Sequence, residues 1–182
     1  MTKEEKNLLQ EIIGYYLYYG RAVDNTLLAA LGTLAASQTE GTEETIKATT
    51  HFLNYIATHP EARVRFHKSN MILHVHSDGS HLLERKSRSR IAGFYWLNGK
   101  DNPNPQAPLP KLNGAIHIVS RILKMVTASA AETETAGCFV NGQEACPIRV
   151  ELEEMGWPQP PTPITTDNSC AEGIINETVK QK

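Results

Sequence analysis

The first part of the chain places apolar side chains at helical spacing, which predicts a helix over 4–20. A second helix is predicted to follow Asp24, because an aspartate there can accept a hydrogen bond from the first free amides. A third is predicted from Thr42 to the pair His59–Pro60, since proline disfavours helix in the residue before it. Because no catalytic motif occurs here, residues 1–61 are interpreted as a helical appendage.

Beyond residue 61 the apolar period shortens to two, which is typical of strands. The pattern predicts four short strands, over 63–67, 71–75, 91–97 and 114–119. The first two are expected to form a hairpin. The second is expected to carry Asp78 to its C-terminal end, where Gly79 lets the chain turn away. A proline-rich loop is predicted over 101–110.

A long helix is predicted next, because Ser129 and Glu132 have the spacing of a capping box. It is expected to reach Met155 with interruptions at three helix-disfavouring residues, Gly137, Gly142 and Pro147. A brief strand over 164–166 and a helix over 169–180 complete the pattern. A strand that follows a crossover helix pairs in parallel, so the sheet is predicted to be mixed.

The predicted architecture is therefore α/β, with a mixed sheet flanked by helices over residues 62–182 and the helical appendage before it. Apolar residues make up 40% of the 182 residues, enough for a packed core, and the net charge is only -2. A nucleic-acid surface would therefore have to be local. The sequence lacks a membrane-spanning run and a signal peptide, which predicts an intracellular protein without a membrane partner and with cysteines present as thiols.

Acidic residues occur where predicted elements begin or end. Asp78 and Asp167 follow strands, and Glu132 and Glu134 lie near the start of the long helix. If they meet, they form an oxygen-only site that suits Mg²⁺ or Mn²⁺, and two such ions catalyse phosphoryl displacement. Taken alone, Asp78 and Asp167 are each better interpreted as ordinary turn or helix-cap residues.

Two further groups of residues keep alternatives open. His74, His76 and Asp78 share one strand face, which would suit a transition metal, but no further ligand follows at convincing spacing. The segment after Asp78 is basic and is either a phosphate-binding or a solvated loop; its candidate residues are Arg85, Lys86, Arg88 and Arg90. A serine hydrolase is disfavoured because G-x-S-x-G is absent.

Three stretches carry a resemblance to a known family: Ser77–Ser80, Ser129–Ala136 and Thr166–Ala171. In order and spacing they resemble the ribonuclease H domain of copia-type retrotransposon polyproteins. The segment 85–93 is similar to that family's basic loop, and residues 1–60 resemble the helical segment that closes the reverse transcriptase before it.

The resemblance implies a ribonuclease H-like fold and metal-dependent cleavage of RNA in RNA–DNA hybrids, as part of a retroelement reverse transcriptase. It implies that Asp78, one helix glutamate and Asp167 are catalytic acids that bind Mg²⁺ or Mn²⁺. The family's position for the glutamate favours Glu134, with Glu132 as the alternate and otherwise the capping partner of Ser129. The basic residues would grip the near-A-form hybrid through its phosphates.

One departure from the family concerns its fourth acid, which follows the helix after Asp167. The sequence ends at Lys182, and neither Glu172 nor Glu177 has the required context. This difference predicts a fragment of a longer polyprotein or a decayed copy. It also keeps open a second function, a non-catalytic connection module that binds nucleic acid or packs against the polymerase.

Overall fold

The computed structural model describes residues 1–99 and 113–178. The chain divides into two compact units, Met1–Val64 and Arg65–Lys182. The sequence predicts a division between residues 61 and 62, and the structure divides between Val64 and Arg65. The predicted proline-rich loop, 101–110, lies outside the described residues.

The first unit is helical, and its elements are α1 (Lys3–Ala22), a 3-10 turn (Asn25–Leu27), α2 (Leu28–Ser37) and α3 (Glu43–Thr58). Thr2 and Glu5 form a capping box at the start of α1. Thr42, where the third helix is predicted to begin, caps α3. Asp24 caps the 3-10 turn rather than α2 itself, because its carboxylate accepts from the Thr26 amide. The core of this unit consists of Leu9, Ile13, Leu27, Leu31, Leu34 and Phe52.

The second unit contains four strands and two helices: β1 (Ile72–Glu84), β2 (Arg88–Asn98), β3 (Ala115–Ile122), α4 (Ala130–Glu154), β4 (Ile164–Thr165) and α5 (Ser169–Ile175). The sheet order is β3-β2-β1-β4. The first three strands are antiparallel neighbours, and β4 lies parallel to β1. The predicted α/β class with a mixed sheet flanked by helices is therefore confirmed.

The predicted hairpin between 63–67 and 71–75 is wrong. β1 has β2 on one side and β4 on the other, so it offers no free edge to the earlier segment. The segment is instead held by the side chain of Asn113, which accepts from the His67 amide at 2.7 Å and donates to the His67 carbonyl at 3.0 Å. Phe66 is 63% exposed, so the alternating pattern here does not mark a buried face.

The prediction that β1 ends at Asp78 is also wrong. The strand continues to Glu84, and Asp78 pairs with Ala92 in the middle of the β1–β2 hairpin. The apolar β2 extends the pairing because Gly79 and Ser80 continue the register opposite Ile91 and Arg90. The basic segment therefore forms the hairpin turn and the start of β2.

The helix α4 runs from Ala130 to Glu154 without the predicted interruptions. Gly137 has a packing role, since an added Cβ would lie 3.3 Å from the Ser77 Oγ on β1. The last helix is shorter than predicted: α5 ends at Ile175, and two residues beyond it Glu177 adopts a left-handed φ of 56°. Within the described residues, no helix combines the length and apolar character needed to cross a membrane.

A buried amide joins α4 to the sheet. Asn141 has 0% exposure and donates to the Ser77 Oγ and to the Ala92 carbonyl, both at 2.8 Å. Its Oδ1 accepts from the Tyr95 hydroxyl at 2.9 Å. Gly93 provides the space, because a Cβ there would lie 2.3 Å from that oxygen. Around this contact lies the apolar core, made of Leu73, Val75, Tyr95, Val119, Ala145 and Leu152.

Replacing Asn141 with Ala is expected to lower the free energy of unfolding by about 2 to 4 kcal/mol, because it leaves buried groups on β1 and β2 unpaired. Urea denaturation of the purified chain measures this change. Gln143→Ala is the matched control, since Gln143 is exposed on the same helix, and its effect is expected to stay within about 0.5 kcal/mol. Equal effects of the two variants would contradict this role for Asn141.

Candidate metal centre

Three carboxylates converge at one place in the second unit. Asp78 lies in β1, Glu134 in the first turns of α4, and Asp167 two residues beyond the end of β4. One oxygen from each lies within 4.8 Å of the others. The predicted convergence of these three acids is therefore confirmed.

The parallel pairing of β1 with β4 explains why the two aspartates meet. Val75 pairs with Ile164 and His76 with Thr165, and the same register continued brings Asp167 beside Asp78. Asn168 then caps α5 by accepting from two backbone amides, which ends the extended segment directly after the acid.

Glu134 is the buried member of the cluster, with 4% exposure. Its Oε1 accepts from the Gly79 amide at 3.1 Å, and its Oε2 accepts from the Thr166 hydroxyl at 3.3 Å. Each carboxylate oxygen therefore has one hydrogen bond and retains a lone pair for a cation. Thr166 and the Gly79 amide were missed by sequence reasoning, because both contacts depend on tertiary packing.

Glu132 lies outside the cluster and serves the start of α4. Its amide donates to the Ser129 Oγ at 3.1 Å, and its carboxylate accepts from the Ala128 amide at 2.7 Å. This is the capping role expected for it, except that the amide it binds belongs to Ala128 rather than to Ser129. The geometry thus assigns the metal-facing position to Glu134.

Gly79 does not turn the chain, as the sequence suggested, but lets α4 approach β1. A Cβ at this position would lie 3.2 Å from the Thr133 Cγ2, 3.3 Å from the Thr133 carbonyl oxygen and 3.4 Å from the Glu134 Cα. These distances are at the tight end of normal packing, so a larger residue would push the helix away. Glycine keeps the Glu134 carboxylate within reach of the Gly79 amide.

Burial raises the pKa of Glu134, and the charges of Asp78 and Asp167 raise it further, while the bonds from Gly79 and Thr166 oppose the shift. A divalent cation would remove this repulsion, because it neutralises the negative charge that the three carboxylates bring together. Three hard oxygen donors on three separate elements suit Mg²⁺ or Mn²⁺ better than zinc. The cluster therefore has the donor chemistry of a metal site.

The alternative set of His74, His76 and Asp78 is not brought together. His74 is buried, and its Nε2 lies 3.2 Å from the Gly99 carbonyl oxygen. The His76 Nδ1 lies 3.1 Å from the Thr165 hydroxyl. Across residues 1–99 and 113–178, the acidic cluster is the one group that meets the spacing for a shared ion.

The four basic candidates fall into two classes. Arg85, Lys86 and Arg88 are exposed at the β1–β2 turn, and they remain predicted phosphate contacts. Arg90 is only 8% exposed, and its Nε lies 2.6 Å from a carboxylate oxygen of Glu84. The prediction for Arg90 therefore needs correction, because β2 places its side chain in a buried ion pair with Glu84.

Comparison of the chain with known protein families found no matching model, and no curated protein or solved structure matched it either.

The variant Glu134→Gln is expected to unfold less readily than the wild-type chain at neutral pH without divalent ions. The folded-state pKa of Glu134 lies above its ordinary value of 4.5, so the folded chain binds more protons in the window above that value. The free energy of unfolding therefore falls as the pH rises through this window, and the glutamine removes the loss. Chemical denaturation at acidic and neutral pH measures the difference.

The matched control is Glu132→Gln, which removes an exposed carboxylate at the same helix end. It is expected to destabilise the chain by about 0.3 to 1 kcal/mol, the opposite sign, because this carboxylate complements the helix dipole. With added Mg²⁺, the wild-type chain should have a higher free energy of unfolding than Glu134→Gln. A wild-type chain that is more stable than Glu134→Gln without metal would contradict the repulsion described above.

Proposed function

We propose that this chain cleaves the RNA strand of RNA–DNA hybrids by metal-dependent endonucleolytic hydrolysis. The observation that carries the proposal is the convergence of three carboxylates within 4.8 Å. Such an oxygen-only cluster, presented by a sheet and a facing helix, is suited to binding divalent ions at a phosphodiester. The sequence resemblance to a ribonuclease H domain supplies the substrate class.

In this proposal Asp78, Glu134 and Asp167 bind the ions, and the Gly79 amide with the Thr166 hydroxyl hold Glu134 in orientation. When bound, divalent ions supply Lewis acidity toward the scissile phosphate and lower the pKa of the attacking water. Asp78 and Asp167 are exposed, so the substrate can approach from their side while buried Glu134 fixes the floor of the site. The residues of the chain therefore bind the ions, orient the Glu134 carboxylate and hold the substrate beside the cluster.

The wider setting follows from the same resemblance. The mixed sheet flanked by helices is compatible with a ribonuclease H-like domain, and the helical first unit corresponds to the reverse-transcriptase tail. The proposed partners are therefore an RNA–DNA hybrid and the reverse transcriptase domain of the same polyprotein, in an intracellular setting.

Cleavage of a labelled RNA–DNA hybrid in Mg²⁺ or Mn²⁺ tests the proposal. Asp78→Asn is expected to lower the rate by more than about 100-fold, because even groups that only support metal ligands are worth 10- to 100-fold. The fold should survive, since Asp78 is exposed. Glu132→Gln is the control and should retain wild-type activity, because its carboxylate faces the helix start.

The second candidate is a non-catalytic module that binds the hybrid or packs against the polymerase. One observation favours it: the described cluster contains three carboxylates, which carry less charge than two divalent ions. In the same assay this module would bind the hybrid without metal-dependent cleavage. Cleavage that Asp78→Asn leaves unchanged would contradict the proposed site itself.

A further inference from the structure

A second concave feature lies at the tip of the β1–β2 hairpin. It is a cleft of about 470 Å³ between the hairpin and the segment that leads from β3 toward α4. Basic, hydroxyl and apolar side chains line it, among them Arg88, Lys124, Ser87, Thr127, Leu82 and Val126. No carboxylate is among its lining residues.

Among the described residues, those that line this cleft carry only positive charge. Arg88 and Lys124 are its charged residues, and both side chains are exposed. The acid nearest in sequence, Glu84, already pairs with Arg90. Lys124 forms no ion pair within the part of the chain that the structure describes. An anion is therefore the ligand that the charge of this cleft favours.

Hydroxyl contacts connect the cleft to the acidic cluster. The Thr127 Oγ1 lies 2.7 Å from the Thr133 Oγ1, and Thr133 directly precedes Glu134 in α4. Along β1, Leu82 follows Asp78 by four residues, which is about 13 Å or less at the rise of a strand. This distance spans only a few nucleotides of a bound duplex, so the cleft lies close to a phosphate at the acids.

We propose that this cleft binds the sugar–phosphate backbone of the hybrid next to the scissile phosphate, with Arg88 and Lys124 as the phosphate contacts. The inference rests on the proposed function and adds Lys124, which lies in another segment from the basic turn. Apolar Leu82 and Val126 beside the charges suit the sugar face.

The test measures hybrid affinity against salt concentration by fluorescence anisotropy, in an Asp78→Asn background that leaves the substrate uncut. Arg88→Ala and Lys124→Ala should each weaken binding and reduce the slope of log affinity against log salt by about 0.7 to 0.9, the value for one lost phosphate contact. Lys124→Arg should restore the slope. Lys68→Ala is the matched control, because this exposed lysine precedes the opposite end of β1 and should leave the slope unchanged.

The outcomes separate this inference from the proposed nuclease activity. A reduced slope in these variants, together with no cleavage by the chain that retains Asp78, supports the cleft and contradicts catalysis. Active cleavage with an unchanged slope in both variants overturns the cleft. Absence of hybrid binding also overturns the inference. So does a chain that binds phosphatidylserine vesicles instead of the hybrid and loses that binding in Lys124→Ala. Circular dichroism of each variant confirms that the fold is kept.

Discussion

The close approach of α4 to β1 is the contact on which the candidate site depends. Along β1, Ser77 accepts from Asn141 and the Gly79 amide donates to Glu134, so two points of the helix are fixed to neighbouring residues of one strand. Because Gly79 and Gly137 lack side chains, the helix can lie this close. A carboxylate on the helix is thereby brought to an aspartate on the strand, and both to the end of β4.

This arrangement stores electrostatic repulsion in the folded chain. Burial raises the pKa of Glu134, and two neighbouring carboxylates add to the effect. A core position without a binding role would favour an apolar side chain over glutamate, since an uncompensated buried charge destabilises the fold. A buried glutamate beside two aspartates is therefore consistent with a cation-binding site. The cluster lowers the stability of the free protein, and binding of the cation restores it.

Local patterns in the sequence predicted the helices and the mixed sheet well. The start of α3 near Thr42, the Ser129 cap and the parallel pairing of the last strand follow from neighbouring residues and chain connectivity alone. The extent of β1 does not follow from local patterns, because glycine is typical of turns. Only the pairing with β2 shows that Gly79 continues the strand. The prediction for the segment 63–67 failed because β1, the strand expected to pair with it, already has β2 and β4 as neighbours.

The candidate acids were predicted from their positions at the ends of elements, together with the family resemblance. What the sequence could not indicate is which groups orient them. The roles of Thr166 and Asn141 depend on which strand and helix meet, and Arg90 looks like its exposed neighbours until β2 places it against Glu84. Lys124 was not predicted as a phosphate contact, because it lies far along the chain from the basic turn. In the fold, both line the same cleft.

The most direct measurement is the anomalous diffraction of a crystal of this chain grown or soaked with Mn²⁺. The account predicts one strong anomalous peak, coordinated at about 2.1 to 2.2 Å by oxygens of Asp78, Glu134 and Asp167, and its loss in a crystal of Asp78→Asn. A peak at other residues, or an unoccupied cluster at millimolar Mn²⁺, would contradict the claim that these three carboxylates form a metal centre.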